Sequence, residues 1–388
     1  MNILLVSEVY LPTVSGVASS TDSIARFLAK RGHQVYLVCP RPVIPYTPEA
    51  IPNLHLIYTP SLSDPFFVNK PMTLIPLGLG EIVQTIATHA FDVVHIQEPG
   101  ALGIMTLIVA KLYRLPIVGA MHFSVEQFAS FLPWKTISMS LMKLYIRLMY
   151  PHYGAIMVPT ATAKGDLVKI IGHPERIYPI SNGVDTSLYR PRRVPGALLR
   201  KKYHIDPGAV VFLYLGRLDA DKNIETMLKA LAHTSRIHVI LAGVGKQKEL
   251  LQLLAHQLLL SRRIRWIDQL STQSIVELYQ LSDGFIIMSP IETQSIVTLQ
   301  AVACGLPVIA ANAGALPELV HHGKNGYLVD TYDDGTLAEK MTYLASHPDV
   351  RVRMGKESRS ISLAHRKSRV LQKLEVLYGD LKKSQSWS

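Results

Sequence analysis

The chain of 388 residues has only two cysteines, Cys39 and Cys304. Two cysteines build no disulfide framework and show no metal-ligand spacing, so a reducing, cytoplasmic setting is expected. Long apolar runs are also missing. The longest candidate, GALGIMTLIVAKLYRLPIVGAM, is cut by Lys111 and Arg114, which argues against a bilayer-spanning helix. The opening MNILLVSEVYLP has no basic n-region and too short an apolar run for a secretory signal, so no leader is expected. Attachment to the cytoplasmic face of a membrane stays open. Acidic residues are scarce: 29 against 40 basic ones, a net charge of +11. The excess is local. Residues 190–202 (RPRRVPGALLRKK) carry +6, residues 351–388 carry +7, and the remainder nets −2. No zinc-finger spacing or aromatic RNP motif accompanies this charge, so nucleic acid is not the expected partner. An anionic membrane surface and a merely solvated linker and tail both fit.

What is present is a regular succession of short apolar runs. They are NILLVS (2–7), QVYLVCP (34–40), LHLIYT (54–59), DVVHIQ (92–97), PIVGAM (116–121) and AIMVPT (155–160) in the first half. VVFLYLG (210–216), HVILAG (238–243), IRWI (264–267), GFIIMS (284–289), PVIAA (307–311) and YLVD (327–330) follow in the second. Helical patterns separate them at the spacing of βαβ units. The runs are apolar throughout, as parallel strands buried on both faces must be. The expected fold class is therefore α/β, with two doubly wound parallel-sheet domains facing a cleft and ligands outside the carboxyl ends of the strands. The Pro- and Arg-rich stretch marks the break: one domain over 1–188, a linker over 189–202, a second domain over 203–362. A last helix, roughly 363–383, places Val370, Leu371, Leu374, Leu377, Tyr378 and Leu381 on one face, which must dock.

Several residues at predicted strand ends have chemistry to offer. Gly16, in the loop after the first strand, permits an unusual backbone angle before a helix start that can hold an anion, or it is an ordinary turn. Arg217 and Lys222, in GRLDADK, suit a diphosphate, one by its fork and one by its point charge, or they are surface salt-bridge formers. AGVG (242–245) is a glycine-bearing turn without a dinucleotide fingerprint. Asp268 and Gln269, in RWIDQL, can line a base pocket. His122 follows the strand PIVGA and either meets a reacting sugar or packs in the core. In SPIETQSIVTLQ, Glu292 precedes a helix that Thr293 or Ser295 can cap, and the amides at the helix start suit a phosphate. Gln300, two turns in, is a lone amide on an apolar helix; a ligand hydroxyl or a neighbouring backbone group must satisfy it.

Together SEVYLPTVSGV, FDVVHIQEP, ISNGVD, GRLDADKN, SPIET, ACGLPVIA and LPELVHHGKNGYLV cover nearly the whole chain. In that order they resemble the retaining glycosyltransferases of the GT-B fold with a Glu-x7-Glu motif. Bacterial enzymes that glucosylate diacylglycerol are the most similar in tone. The resemblance implies that Arg217 and Lys222 bind the donor diphosphate, that His122 stands at the reaction centre, and that Glu292 contacts donor-sugar hydroxyls. It also implies that Gly16 belongs to a flexible loop over the diphosphate and that Asp268, Gln269, Thr293, Gln294, Ser295, Ile296 and Gln300 line the donor site. The first domain would bind the acceptor, the second the nucleotide sugar, and the helix over about 363–388 would cross back to the first. Three positions depart from the pattern: Gln300 replaces the second Glu, and Ser295 and Asp268 stand where glycine is usual.

The expected reaction is retaining and metal-independent, with no cofactor. A hexose, expected as glucose from UDP-glucose, passes to a membrane lipid hydroxyl such as that of diacylglycerol. Phe66 and Phe67, and the stretch 132–153 with Trp134, Lys135, Lys143 and Arg147, are candidate membrane contacts; an amphipathic helix packed on its own core is the other reading. A soluble sugar acceptor, a non-hydrolysing epimerase, and a weakened or non-catalytic nucleotide-sugar-binding homologue remain as alternatives. GRLDADKN and SPIET speak against the epimerase, and Gln300 keeps the last alternative open.

Overall fold

The computed structural model describes residues 1–13, 15–63, 71–73, 75–129, 134–191, 196–206, 208–268 and 270–385. The chain divides into two compact units, Met1–Asn182 with Val370–Ser388, and Gly183–Arg369.

The first unit contains β1 (Asn2–Val6), β2 (Gln34–Pro40), β3 (Leu54–Thr59), a small antiparallel pair β4 (Ser61–Ser63) and β5 (Pro71–Thr73), then β6 (Val93–Ile96), β7 (Ile117–Ala120), β8 (Ala155–Val158) and β9 (Ile177–Pro179). Seven of these form one parallel sheet in the order β3-β2-β1-β6-β7-β8-β9. Side chains alternate between two apolar clusters: from β1, Ile3 and Leu5 enter one, Leu4 and Val6 the other. Ile24 and Leu28 of the helix Gly16–Lys30 cover the first face; Ile82, Leu102 and Ile146, from three other helices, cover the second. Burial on both faces is the reason the strands read as unbroken apolar runs.

The final helix, Lys367–Gln385, adds Val370, Leu371, Leu374, Leu377 and Tyr378 to the first of those clusters, with Leu381 packed against it. Glu375 meets His33 at 2.8 Å and Arg31 at 3.4 Å, and Lys382 meets Asp92 at 2.7 Å. The apolar stripe thus found its partner surface in the first unit.

The second unit carries β10 (Val210–Leu215), β11 (Ile237–Ala242), β12 (Ile264–Ile267), β13 (Gly284–Ile287), β14 (Val308–Ala311) and β15 (Gly326–Val329) in the order β12-β11-β10-β13-β14-β15, again parallel. Around the stretch expected as a linker, 189–202, several described residues have partners in the second unit. Val184 bridges to Arg366, Tyr189 is buried in the second unit's core, and Arg200 on the helix Gly196–Lys202 pairs with Asp283 at 2.7 Å. Lys202 likewise pairs with Glu277 at 2.6 Å, so two of the basic side chains in this stretch meet carboxylates of the same unit.

Each sheet reverses its strand order once. β1 pairs with β2 on one side and β6 on the other; β10 pairs with β11 and β13 in the same way. Loops leaving the carboxyl ends of such strands diverge and open a crevice, the usual ligand position in open α/β sheets.

Candidate functional site

In the second unit, two loops flank that crevice. The first runs from Gly216 to Asn223. Its backbone lies directly on the turn after β11: a Cβ at Gly243 (φ +142°) would stand 2.0 Å from the Gly216 oxygen, and one at Gly245 2.4 Å from Leu218. Only glycine permits this approach. Across the contact the Leu218 N–H donates to the Val244 carbonyl and the Gln247 N–H donates to the Leu218 carbonyl, both at 2.9 Å. The second loop follows β13. Its Ser289 hydroxyl donates to the Asp221 carbonyl at 3.0 Å, and Asn223, in the left-handed region, donates to the carbonyls of Met288 (3.3 Å) and Thr331 (2.6 Å). Gly314 passes so close that a Cβ there would lie 2.8 Å from the Glu292 oxygen, and Ala315 N–H donates to that carbonyl.

These ties place Lys222 Nζ 2.8 Å from Glu292 Oε1 and 3.3 Å from Asp221 Oδ2. Both ends of the Lys222–Glu292 pair are largely buried. Burial works against the Lys222 charge, but Glu292 and Asp221 outweigh it and raise its pKa above the usual lysine value. Arg217, half exposed, pairs with Asp219 and reaches Asp221 Oδ2 at 3.1 Å. Two cations and three carboxylates therefore share one cluster. One acceptor within it, Asp221 Oδ1, is buried and has no hydrogen-bond partner among the described residues. A buried unsatisfied acceptor costs about 1–3 kcal/mol, a penalty an arriving donor group relieves.

Ser295, not Thr293, caps the helix Ile296–Ala303: its Oγ accepts from the Thr298 N–H at 3.2 Å. That use of the hydroxyl is a physical reason for serine where glycine is usual. Thr293 is half-buried, while Gln294 and Ser295 are buried. Gln300 has a protein partner: its Oε1 accepts from the Tyr279 hydroxyl at 3.0 Å, which also donates to the Val297 carbonyl at 2.8 Å. Asp268 pairs with Lys248 and lines a groove of about 500 Å³ at the β12 edge, with Lys202, Tyr203, His204, Arg265, Trp266 and Ile267. Gln269, Phe66 and Phe67 lie outside the described residues.

The first unit's crevice is built of different chemistry. His122, just past β7, has Nε2 3.0 Å from Gln97 Oε1. The Gln97 amide nitrogen stands 3.3 Å from the His95 ring nitrogens, and His95 Nδ1 bonds the Tyr378 hydroxyl of the final helix. Burial depresses both imidazoles, His95 to a pKa of about 3, with the His122 charge adding to it, and His122 to about 4. Beside them, Glu98 Oε2 accepts from Ser7 Oγ and the Glu8 N–H, both at 3.0 Å, and Glu8 Oε1 accepts from the Gly103 N–H at 3.0 Å. The Glu8 charge, after burial, holds the Tyr145 hydroxyl up at about 12.

Gly16 corrects one expectation. It is the first residue of the helix Gly16–Lys30, capped by Ser15 Oγ on the Ala18 N–H at 3.0 Å, so it takes helical rather than unusual backbone angles. The structure thus gathers Arg217, Lys222 and Glu292, while His122 has its own network in the first unit. Glu8, Gln97, Glu98 and Tyr378 went unassigned in the sequence. Polar residues at or directly after the ends of the predicted strands 2–7 and 92–97 were the available signal for the first three. Among the described residues, no group of three or more His, Cys, Asp or Glu could hold a metal, and no helix is long and apolar enough to cross a membrane.

This architecture recurs in solved structures. Sucrose-phosphate synthase from Thermosynechococcus elongatus superposes with a TM-score of 0.82 at 18% identity, over 99% of this chain and 100% of that one. HepE from Anabaena, in complex with UDP, gives 0.79 at 20% identity over 98% and 100%. At such identities these likenesses speak for the fold. Residues 14–188 match the model of Glycosyltransferase Family 4 and residues 197–361 that of Glycosyl transferases group 1. The chain belongs to the GT-B glycosyltransferases, enzymes that use a nucleotide-sugar co-substrate. Relatives include the sulfoquinovosyl transferase SQD2 of Arabidopsis thaliana, 25% identical over 89% of this chain and 67% of that protein. The alpha-monoglucosyldiacylglycerol synthase of Acholeplasma laidlawii is 24% identical over 98% and 97%, and that of Streptococcus pneumoniae 26% over 82% and 73%.

Proposed function

We propose that this protein transfers a hexose, glucose from UDP-glucose, to a hydroxyl of a membrane lipid such as diacylglycerol, with retention at the anomeric carbon and without a metal. The observation that carries the reading is the Lys222–Glu292 pair, set with Arg217 at the second unit's switch point. The diphosphate takes Arg217, Lys222 and the amides heading the Ile296–Ala303 helix, which stabilise charge on the leaving group. Glu292, then released from part of its bond to Lys222, accepts from sugar hydroxyls, and Gln300 faces the ribose. The bond from the anomeric carbon to the diphosphate oxygen breaks as the acceptor oxygen bonds to the same face. The acceptor's proton goes to the departing diphosphate, giving UDP and the glycoside. His122 meets the sugar as a neutral imidazole.

The lipid acceptor has support in the helix Lys135–Met149. Met139, Met142, Ile146 and Met149 of this helix pack into the core. A second apolar row, Ile137, Leu141, Leu144 and Leu148, runs along another face with every member more than half exposed, and Trp134 at its start is 79% exposed. At 3.6 residues per turn these four fall within about 60° of one another. Exposed Lys143 and Arg147 lie along one side of the row, and the helix has no acidic residue. An apolar row edged by cations fits an anionic bilayer surface. That two relatives are named alpha-monoglucosyldiacylglycerol synthases agrees with this acceptor.

The test is UDP-glucose offered with diacylglycerol in anionic vesicles, with and without EDTA. An EDTA-tolerant α-glucosyl lipid is expected. Transfer only to a soluble sugar, or only hydrolysis of the donor, would overturn the lipid reading.

A further inference from the structure

We propose that Gln97 is a positioning residue: its side-chain carbonyl fixes the proton of His122 on Nε2, and His95 and Tyr378 hold Gln97 in that orientation. This rests on the reading that His122 meets the donor sugar. The placement follows from the fold. His95 and Gln97 are two residues apart at the carboxyl end of β6, and β7, which delivers His122, pairs with β6. His95 lies on the face that the final helix covers, so Tyr378 reaches it. His95, Gln97 and Tyr378 have no exposed surface, which leaves their polar groups no water to turn to.

A neutral imidazole has one donor and one acceptor nitrogen, and only the proton's position distinguishes them. Burial keeps His122 and His95 neutral at physiological pH. With Gln97 Oε1 at 3.0 Å from Nε2, that nitrogen donates, and Nδ1 becomes the ring's acceptor. An amide is fit for this task because its two ends differ: oxygen to His122, N–H to His95. Turning the amide over would present N–H to His122 and move the proton to Nδ1. The bond between His95 and Tyr378 ties the amide's other neighbour to a fully buried hydroxyl on the final helix, so the orientation depends on that helix being docked. A hydrogen bond from a sugar hydroxyl to His122, or from His122 to the sugar, is thereby decided before the donor arrives.

The experiment reads the histidine ring nitrogens by NMR alongside kcat and KM. Gln97→Met keeps length and apolar volume but removes both amide ends. We expect a mixture of ring tautomers at His122 and a fall in kcat of at least about tenfold, with donor KM changed little. Gln97→Glu restores an acceptor opposite Nε2; it should hold the Nε2–H form and shift the acid limb of kcat upward by a pH unit or more. Tyr378→Phe, which keeps the ring in the core, should loosen the same tautomer preference to a smaller degree. Wild-type ring-nitrogen shifts and kcat in Gln97→Met would overturn the proposal. A Gln97→Met protein that does not fold leaves Tyr378→Phe to decide, and unaltered His122 nitrogens there would overturn it. The NMR arm needs no turnover, so failure of the wild type to transfer sugar would count against the glycosyl-transfer reading while leaving this one testable.

Discussion

The two units share a doubly wound parallel sheet, yet their crevices are polarised in opposite ways. The second unit's crevice is ionic: Lys222, Arg217, Asp219, Asp221 and Glu292 trade charges across the switch point. The first unit's centres on a neutral hydrogen-bond chain from His122 to Tyr378, with the Glu8 and Glu98 carboxylates held beside it by backbone and hydroxyl donors rather than by cations. One scaffold therefore supports two electrostatic regimes. A cluster of fixed charges can exchange partners with an anionic ligand; a neutral chain locked in the core can only orient. The fold sets where each crevice opens, and the few residues after each strand set what it can do.

Removing Lys222 should break this contrast most severely. Lys222→Ala leaves Glu292 and Asp221 without their shared cation, and breaking a buried pair from one side costs about 3–5 kcal/mol. We expect glucosyl transfer to fall by at least about 100-fold, or about 2.7 kcal/mol, together with a lower denaturant midpoint. Kinetics and urea unfolding of the same preparation check both.

The pH response should separate the regimes by sign. The folded pKa values of His95 and His122 lie below the unfolded histidine value of about 6.5. The unfolded chain therefore binds more protons, and the two histidines' contribution is intact above pH ~6.5 and lost as pH falls toward about 4 and then 3. Lys222 behaves oppositely. Its folded pKa is raised, so its contribution is intact below the unfolded lysine value and is lost as pH rises through the folded one. Urea midpoints across pH should drop on the acid side by up to about 1.4 kcal/mol per pH unit per histidine. His95→Phe should flatten the acid limb, and Lys222→Met the alkaline limb.

The membrane contact should be separable from both crevices. Leu141→Ser with Leu144→Ser alters an exposed row, so stability should hold within about 0.5 kcal/mol. Sedimentation with anionic vesicles should weaken by about tenfold or more, since partial loss of the apolar contact of two leucines exceeds the ~1.4 kcal/mol that tenfold requires. At Gln300 the loss is expected to be modest and the gain to lie in donor affinity. In Gln300→Leu the Tyr279 hydroxyl keeps the Val297 carbonyl, so the midpoint should move by only about 0.5–1.5 kcal/mol. Gln300→Glu should tighten the donor by about 5- to 30-fold, a gain of about 1–2 kcal/mol from charge assistance.

Much of this was legible from residues alone, for a reason visible in the packing. Each apolar run quoted from the sequence became a strand, and in the central strands burial on both faces forces the continuous hydrophobicity. β4, β5 and β9, three residues each, are too short to leave such a trace. Arg217, Lys222 and Glu292 were readable as charges at strand ends. Their mutual pairing was not, because it depends on loops brought together by Ser289, Asn223 and Gly314. The final helix's apolar stripe announced that it would dock, but nothing local told that Tyr378 would meet His95, 283 residues away. Gly16 misled because a glycine after a strand fits a helix start as well as an open loop. In the stretch 189–202 the cations were legible, but the pairing of Arg200 with Asp283, 83 residues on, was not.

The central claim is that the ionic crevice of the second unit, rather than the neutral one of the first, holds the donor's diphosphate. Calorimetric titration of UDP into the wild type, Lys222→Ala and Gln97→Met tests it most directly. The account predicts one site in the wild type, affinity reduced by at least about 100-fold in Lys222→Ala, and affinity close to wild type in Gln97→Met. Equal UDP affinity in the wild type and in a folded Lys222→Ala protein would contradict it.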